Sequence, residues 1–169
     1  MTLIVETGSG MPDSESYESV ANADLYHANR GNTAWAALTT PQKEIALRKG
    51  TDYLVQAYRS RWKGYRVTLT QALDWPRYNV YIDDSEVSQY VQATSVPKEV
   101  KAACCELALK SLDAELAPDL DRETASEAVG SISVSYFQGS ARNKEYRAID
   151  LMLKPLLKSG GLAVEIVRA

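Results

Sequence analysis

The 169-residue chain has a single histidine, a single phenylalanine and only two cysteines, and it has no excess of positive charge. Each scarcity removes a class of explanation. His27 lies in what reads as the first helix, and no nucleophile is tied to it by a recognisable spacing. A serine or cysteine hydrolase therefore has no base to build on, and a surface or partly buried helical position is expected for it. Cys104 and Cys105 are adjacent in a helical stretch, where neighbouring side chains point in different directions. Neither a bridge between them nor a shared metal site is expected, and small buried or half-buried packing roles in a reducing, intracellular setting fit them. "GSG" at Gly8 to Gly10 lacks the following Lys and Ser or Thr of a phosphate loop. "APDLDRETASE" lacks the glycine and the terminal glutamate of a calcium loop, and reads as a solvated acidic loop. No apolar run approaches bilayer length, and "MTLIVETGSG" lacks a basic leader, so a soluble protein without a secretory signal is expected. No catalytic group, cofactor or metal is expected. The net charge of −3 and the pI near 5.3 argue against a dedicated nucleic-acid binder, which ordinarily carries a basic excess to displace counterions from phosphate.

What the chain does have is a core's worth of apolar residues, 45% of the total, beside 24% charged. One compact domain of this length buries roughly two-thirds of its unfolded surface. Ten tyrosines supply rings that can be buried while the hydroxyl stays polar, a composition common at protein interfaces.

Along the chain, "TLIVET" has the content of a short strand and "GSGMPDSES" that of an exposed loop. Ser19 is a good cap for a helix through "VANADLYHANR" to Gly31, with Val20, Ala23, Leu25 and Ala28 giving a modest apolar face; "NTAWAAL" adds a turn. Thr40 and Pro41 open a sharper helix, with Leu47, Thr51, Leu54 and Tyr58 on one side and Ala46, Gly50 and Ala57 beside them. "YRVTL" reads as extended. Ser95 and Pro97 launch the strongest core helix, with Val100, Ala103, Cys104, Leu107, Ala108 and Leu112 as its stripe. "AVGSISVSYF" alternates like a half-buried strand, with Ile132, Val134 and Tyr136 on one face. "NKEYRAIDLMLKPLLKSGG" is a last helix burying Tyr146, Ile149, Leu153 and Leu156, kinked or shortened by Pro155. The expected fold is α+β and mainly helical: a helix bundle with a small antiparallel sheet or hairpin and an extended C-terminal arm. Residues 1–161 would form the single domain and residues 162–169 the arm or strand.

The densest pattern is "YRSRWKGYR", Tyr58 to Arg66, followed by "QALDWPR", Gln71 to Arg77. Two readings stand. In the first, Arg59, Arg61, Lys63 and Arg66 track a phosphate backbone while Trp62 and Tyr65 stack on bases. In the second, Trp62, Tyr65 and Trp75 pack on the helices while the arginines, Arg77 included, reach acidic partners or neighbouring subunits.

Taken in order, "SYESVANADLYHANRG", "ALRKGTDYLVQAYRSRWKGYRVTLTQALDWPR", "VPKEVKAACCELALKSL", "GSISVSY" and "IDLMLKPLL" resemble a bacteriophage family. Its members bear the label of DnaT-like single-stranded-DNA-binding proteins, yet they resemble the head–tail connectors, or adaptors, of tailed phages. Arg61-Trp62, Gly64 and Gln71 to Arg77 carry the most specific part of the resemblance. It implies a structural virion protein at the neck, present in the host cytoplasm before assembly. Copies would form a ring, commonly of twelve, beneath the portal protein. The ring would extend the channel for packaged double-stranded DNA, touching it weakly, and dock the next neck or tail-completion protein. The C-terminal arm, with Leu162, Val164, Ile166, Val167 and Arg168, would reach the portal. No membrane is implied. Arg59, Arg61, Trp62, Lys63, Tyr65, Arg66 and Arg77 are then subunit-interface or channel candidates, with single-stranded DNA binding through residues 58–77 as the alternative.

Overall fold

The computed structural model describes residues 2–83, 89–118 and 146–158 in full, and the backbone of 126–129 and 132–135. The architecture is α+β and mainly helical. Helices α1 (Val20–Ala28), α2 (Thr33–Ala36), α3 (Thr40–Tyr58), α4 (Lys98–Lys110) and α5 (Arg147–Leu153) enclose the core, and a 3-10 turn, Lys154–Leu156, follows α5. Three two-stranded antiparallel ribbons complete the described fold: β1 (Tyr65–Arg66) with β2 (Arg77–Tyr78), β3 (Tyr81–Ile82) with β4 (Gln89–Tyr90), and β5 (Ser126–Val129) with β6 (Ile132–Ser135). In the last, Val129 faces Ile132 and Ser126 faces Ser135.

The central pair is α3 on α4. Helix α3 starts at a capping box, in which Thr39 and Gln42 satisfy each other's end of the first turn; the cap lies one residue earlier than the sequence suggests. Its apolar side, Ala46, Leu47, Thr51, Leu54 and Tyr58, is buried, and so is that of α4 from Val100 to Ala108. Gly50 sets how close the two helices come. A Cβ there would lie 2.8 Å from the Cys104 carbonyl oxygen and 2.9 Å from the Ala108 nitrogen, so only a bare backbone fits. Cys104 and Cys105 are free and buried, and Cys104 Sγ lies 3.3 Å from Thr51 Oγ1.

Several local expectations are corrected. "TLIVET" forms only an isolated bridge, Val5 with Ser16. The loop after it is not simply exposed. It closes around the buried Glu6 carboxylate, which accepts from the Gly8, Gly10 and Met11 amides at 2.8–3.0 Å and from Ser14 Oγ at 3.3 Å. Ser19 caps α1, accepting from the Asn22 amide, but Leu25 is exposed and the buried positions are Ala23 and His27. Leu112 lies past the end of α4 and is exposed. Tyr146 precedes α5 rather than lying in it, though it is buried with Ile149, Leu153 and Leu156. Pro155 sits where the α-helix gives way to the tighter turn, as a residue lacking an amide proton dictates. Ser126 and Glu127, expected in the acidic loop, belong to β5. Tyr136 and the arm residues Leu162, Val164, Ile166, Val167 and Arg168 lie outside the described residues.

His27 is fully buried, against the expectation of a surface or partly buried position. Its ring packs 4.5 Å from that of Trp35, Asn32 meets Nδ1 at 3.0 Å, and Nε2 is buried with no hydrogen-bond partner among the described residues. Burial holds its pKa below the ordinary 6.5, with Glu106 and Asp24 pulling upward and Arg30 downward. The folded protein thus keeps His27 neutral while the unfolded chain takes up a proton, so stability is full above about pH 6.5 and falls as pH drops through that value. Urea denaturation at about pH 7.5 and about pH 5.5 is expected to show this loss, and His27→Phe to reduce it. An equal pH response in the variant would remove His27 as the cause.

Candidate nucleic-acid or subunit interface

The residues of the strip do not share one face. Its inward half begins with Trp62, placed one turn past the end of α3 and fully buried. The Trp62 ring meets Trp75 edge-on at 5.6 Å and Tyr58 at 5.7 Å, and its Nε1 donates to Asp74 Oδ2 at 3.3 Å. Gly64 then takes a left-handed φ of 62°, and a Cβ there would collide with the Tyr78 carbonyl oxygen. That turn sends the chain into β1, whose residues Tyr65 and Arg66 pair with Tyr78 and Arg77.

Arg77 is the fastener of this hairpin. Only 7% exposed, its guanidinium donates to the carbonyl oxygens of Lys63 (2.8 Å), Gly64 (2.7 Å) and Asp74 (3.2 Å). Gln71 works alongside it. Its Oε1 accepts from the Thr68 amide, and its Nε2 donates to the Leu73 and Pro76 carbonyls. The Trp75–Pro76 peptide is cis. The motif "QALDWPR" is therefore a set of internal staples.

Asp74 is the buried charge at the centre. Burial raises its pKa, while the nearby Arg59 guanidinium and the Trp62 N–H act in the opposite direction, and burial likewise lowers the pKa of Arg77. Tyr17 reaches in from the N-terminal loop, its hydroxyl accepting from the Asp74 amide at 3.0 Å. Burial, reinforced by Asp74, pushes the Tyr17 phenol far above its ordinary range, so it stays protonated.

Trp62 and Arg77, expected as interface or channel residues, are thus interior to the subunit. Lys63 is a clasp, its ammonium donating to the carbonyls of Pro155 (2.8 Å) and Tyr81 (3.1 Å). Arg66 turns back to the Gln71 carbonyl at 3.3 Å. The outward half is Arg59, Arg61 and Tyr65. Arg59 Nε meets Asp74 Oδ1 at 3.0 Å, and Arg61 lies over the Tyr58 ring with one terminal nitrogen 3.0 Å from Asp150 Oδ1.

Tyr65, 64% exposed, lies beside Tyr78 across the hairpin with ring centroids 5.6 Å apart, and Leu69 at the tip is 90% exposed. Val67 is exposed between them. The sequence pointed to Tyr65 but gave no reason to single out Tyr78 or Leu69. Their role becomes visible only when the hairpin pairs β1 with β2 and presents three apolar side chains and a fourth beside them.

Among the described residues no group of three or more histidine, cysteine or acidic side chains is placed to hold a metal ion. Nor is any described helix long and apolar enough to cross a membrane. A family model described as "Putative DnaT-like ssDNA binding protein" matches residues 1–169. No curated protein and no solved structure matches the chain.

Proposed function

Since the chain belongs to this DnaT-like family, we propose that it works as an architectural subunit, a head–tail adaptor of a tailed-phage virion. Copies of it would form a ring, of about twelve subunits by the family resemblance, between the portal and the next neck or tail-completion protein. The observation that supports this reading is the use made of the strip. Trp62, Lys63, Arg66 and Arg77 are committed to internal contacts, and what remains outside, besides Arg59 and Arg61, is a stapled hairpin bearing Tyr65, Val67, Leu69 and Tyr78. Holding apolar side chains rigidly in water lowers the entropic cost of a protein contact, and exposed apolar patches mark such contacts.

The test is assembly. Mixed with portal, the protein is expected to give rings in negative-stain images and to be found in purified virions; a protein that stays dispersed and is absent from virions sinks the proposal. Leu69→Asp with Tyr65→Ala is expected to alter folding stability by less than about 0.5 kcal/mol, as for ordinary surface changes, yet to abolish ring formation. Rings that assemble normally from this variant would exclude the hairpin as an interface.

A second reading, binding of single-stranded DNA, is favoured by the exposed Tyr65–Tyr78 pair, since an aromatic platform accepts a base of any identity. It requires that Tyr65→Ala weaken oligonucleotide binding by about tenfold, the lower part of the range for one stacked base.

A further inference from the structure

We infer that the end of the molecule where α3 meets the 3-10 turn is a contact face for the phosphate backbone of nucleic acid, duplex as readily as single-stranded, made by Arg59, Arg61, Lys154 and Lys158. The inference deepens the adaptor reading and rests on it for the biological partner, the DNA passing through the ring. Lys154 and Lys158 lie more than ninety residues from Arg59 and Arg61, and nothing in the local sequence joins them to the strip.

The fold does. Trp62 and Leu157 form an antiparallel bridge, the Lys63 amide donates to the Leu156 carbonyl at 3.0 Å, and the Lys158 amide donates to the Arg61 carbonyl at 2.8 Å. Two segments, 58–66 and 150–158, are thereby laid side by side. Between them they hold six lysines and arginines and one aspartate. With Asp74, which pairs with Arg59 from outside the two segments, this end carries +4 in a chain whose total is −3, leaving −7 for the rest. A polyanion is therefore better accommodated at this end than over the remainder of the molecule taken as a whole, a bias that the net charge conceals.

Two of the cations are also held in place for the task. Arg59 spends Nε on Asp74 and Arg61 one terminal nitrogen on Asp150, while 56% and 49% of the two side chains stay exposed. Each guanidinium is anchored by a carboxylate with donors left over, an arrangement suited to phosphate oxygens. Lys154 is exposed and makes no ion pair among the described residues; Lys158 is exposed with Nζ 3.3 Å from the Ser60 carbonyl. The ring against which Arg61 packs, Tyr58, is buried. The four cations themselves grip only backbone, which does not distinguish one strand from two.

The experiment measures binding of the full chain to a short labelled oligonucleotide and to its duplex across a salt series. The variants are Lys154→Glu/Lys158→Glu and, as a control with the same change of net charge, Lys98→Glu/Lys101→Glu at the start of α4. Wild-type binding is expected to weaken steeply with salt on both ligands. The Lys154/Lys158 variant should bind both at least about tenfold more weakly, with a shallower salt slope, whereas the control changes little. Equal losses in the two variants would reduce the effect to net charge and overturn the inference. It is overturned equally by a wild type with no salt-sensitive binding, by binding confined to single strands, or by a Lys154/Lys158 variant that loses ring assembly and keeps its affinity. Ring formation without DNA, scored separately, keeps the outcomes apart. Rings from a wild type that does not bind retain the adaptor and remove this face, while binding through this face without rings does the reverse.

Discussion

Trp62→Ala is expected to lower the free energy of unfolding by about 3–5 kcal/mol, the range for emptying a fully buried aromatic site. The ring is wholly inside, in contact with Trp75 and Tyr58, and its neighbours are fixed by backbone bonds that hinder collapse into the cavity. A second loss adds to the first. Asp74 Oδ2 accepts the Trp62 N–H, and without it a buried carboxylate keeps, among the described residues, only Arg59 as side-chain donor. Denaturation in urea followed by far-UV circular dichroism measures the change. Tyr65→Ala, three residues on and exposed, should cost less than about 0.5 kcal/mol. The pair separates the two readings of the strip: an aromatic residue whose removal unfolds the subunit is architecture, whereas one whose removal leaves the fold intact is available to a partner. A loss below about 1 kcal/mol for Trp62→Ala would contradict its place in the core.

The helices were legible because their information is local. The Thr40–Pro41 start, read one residue late at its cap, marks the helix, and the 3.6-residue recurrence of Leu47, Thr51, Leu54 and Tyr58 and the stripe from Val100 to Ala108 mark buried faces, without reference to the rest of the chain. The adjacent cysteines were legible on the same grounds, whereas Trp62 was open between base stacking, an interface and the core. What was not legible depends on partners far away. A carboxylate such as Glu6 reads as surface until three amides of its own loop converge on it. His27 reads as helix surface until Trp35 covers it. The strip reads as one feature because its cations alternate with rings, yet the sharp turn at Gly64 and the β1–β2 pairing send Arg77 and Lys63 inward and leave Arg59, Arg61 and Tyr65 outside. The proposed phosphate face was the least legible of all, since half of it arrives from a turn that the Trp62–Leu157 bridge and the backbone bonds beside it bring into register.

Arg77→Met is expected to cost about 3 kcal/mol or more, close to the penalty for breaking a buried ionic contact. Methionine fills much of the same space, so the cavity term is small. The loss comes from three carbonyl oxygens, those of Lys63, Gly64 and Asp74, that give up their donor in a region the side chain itself keeps dry. Asp74 also loses a nearby positive charge, which would raise further a pKa that burial has already raised. For a domain of this size each kcal/mol corresponds to roughly 2–4 °C in the melting temperature, so a fall of about 6–12 °C is the expected reading. Arg77→Lys should recover little of it, because a single ammonium on a flexible stem cannot bridge carbonyls that a planar fork reaches together. Hairpin geometry follows from the same bonds. With the fastener gone, the loop carrying Leu69 is free to sample other positions, so assembly into rings should fail in Arg77→Met at temperatures where the subunit remains folded. A variant that melts early but still assembles normally when folded would confine Arg77 to stability and remove it from the presentation of the hairpin.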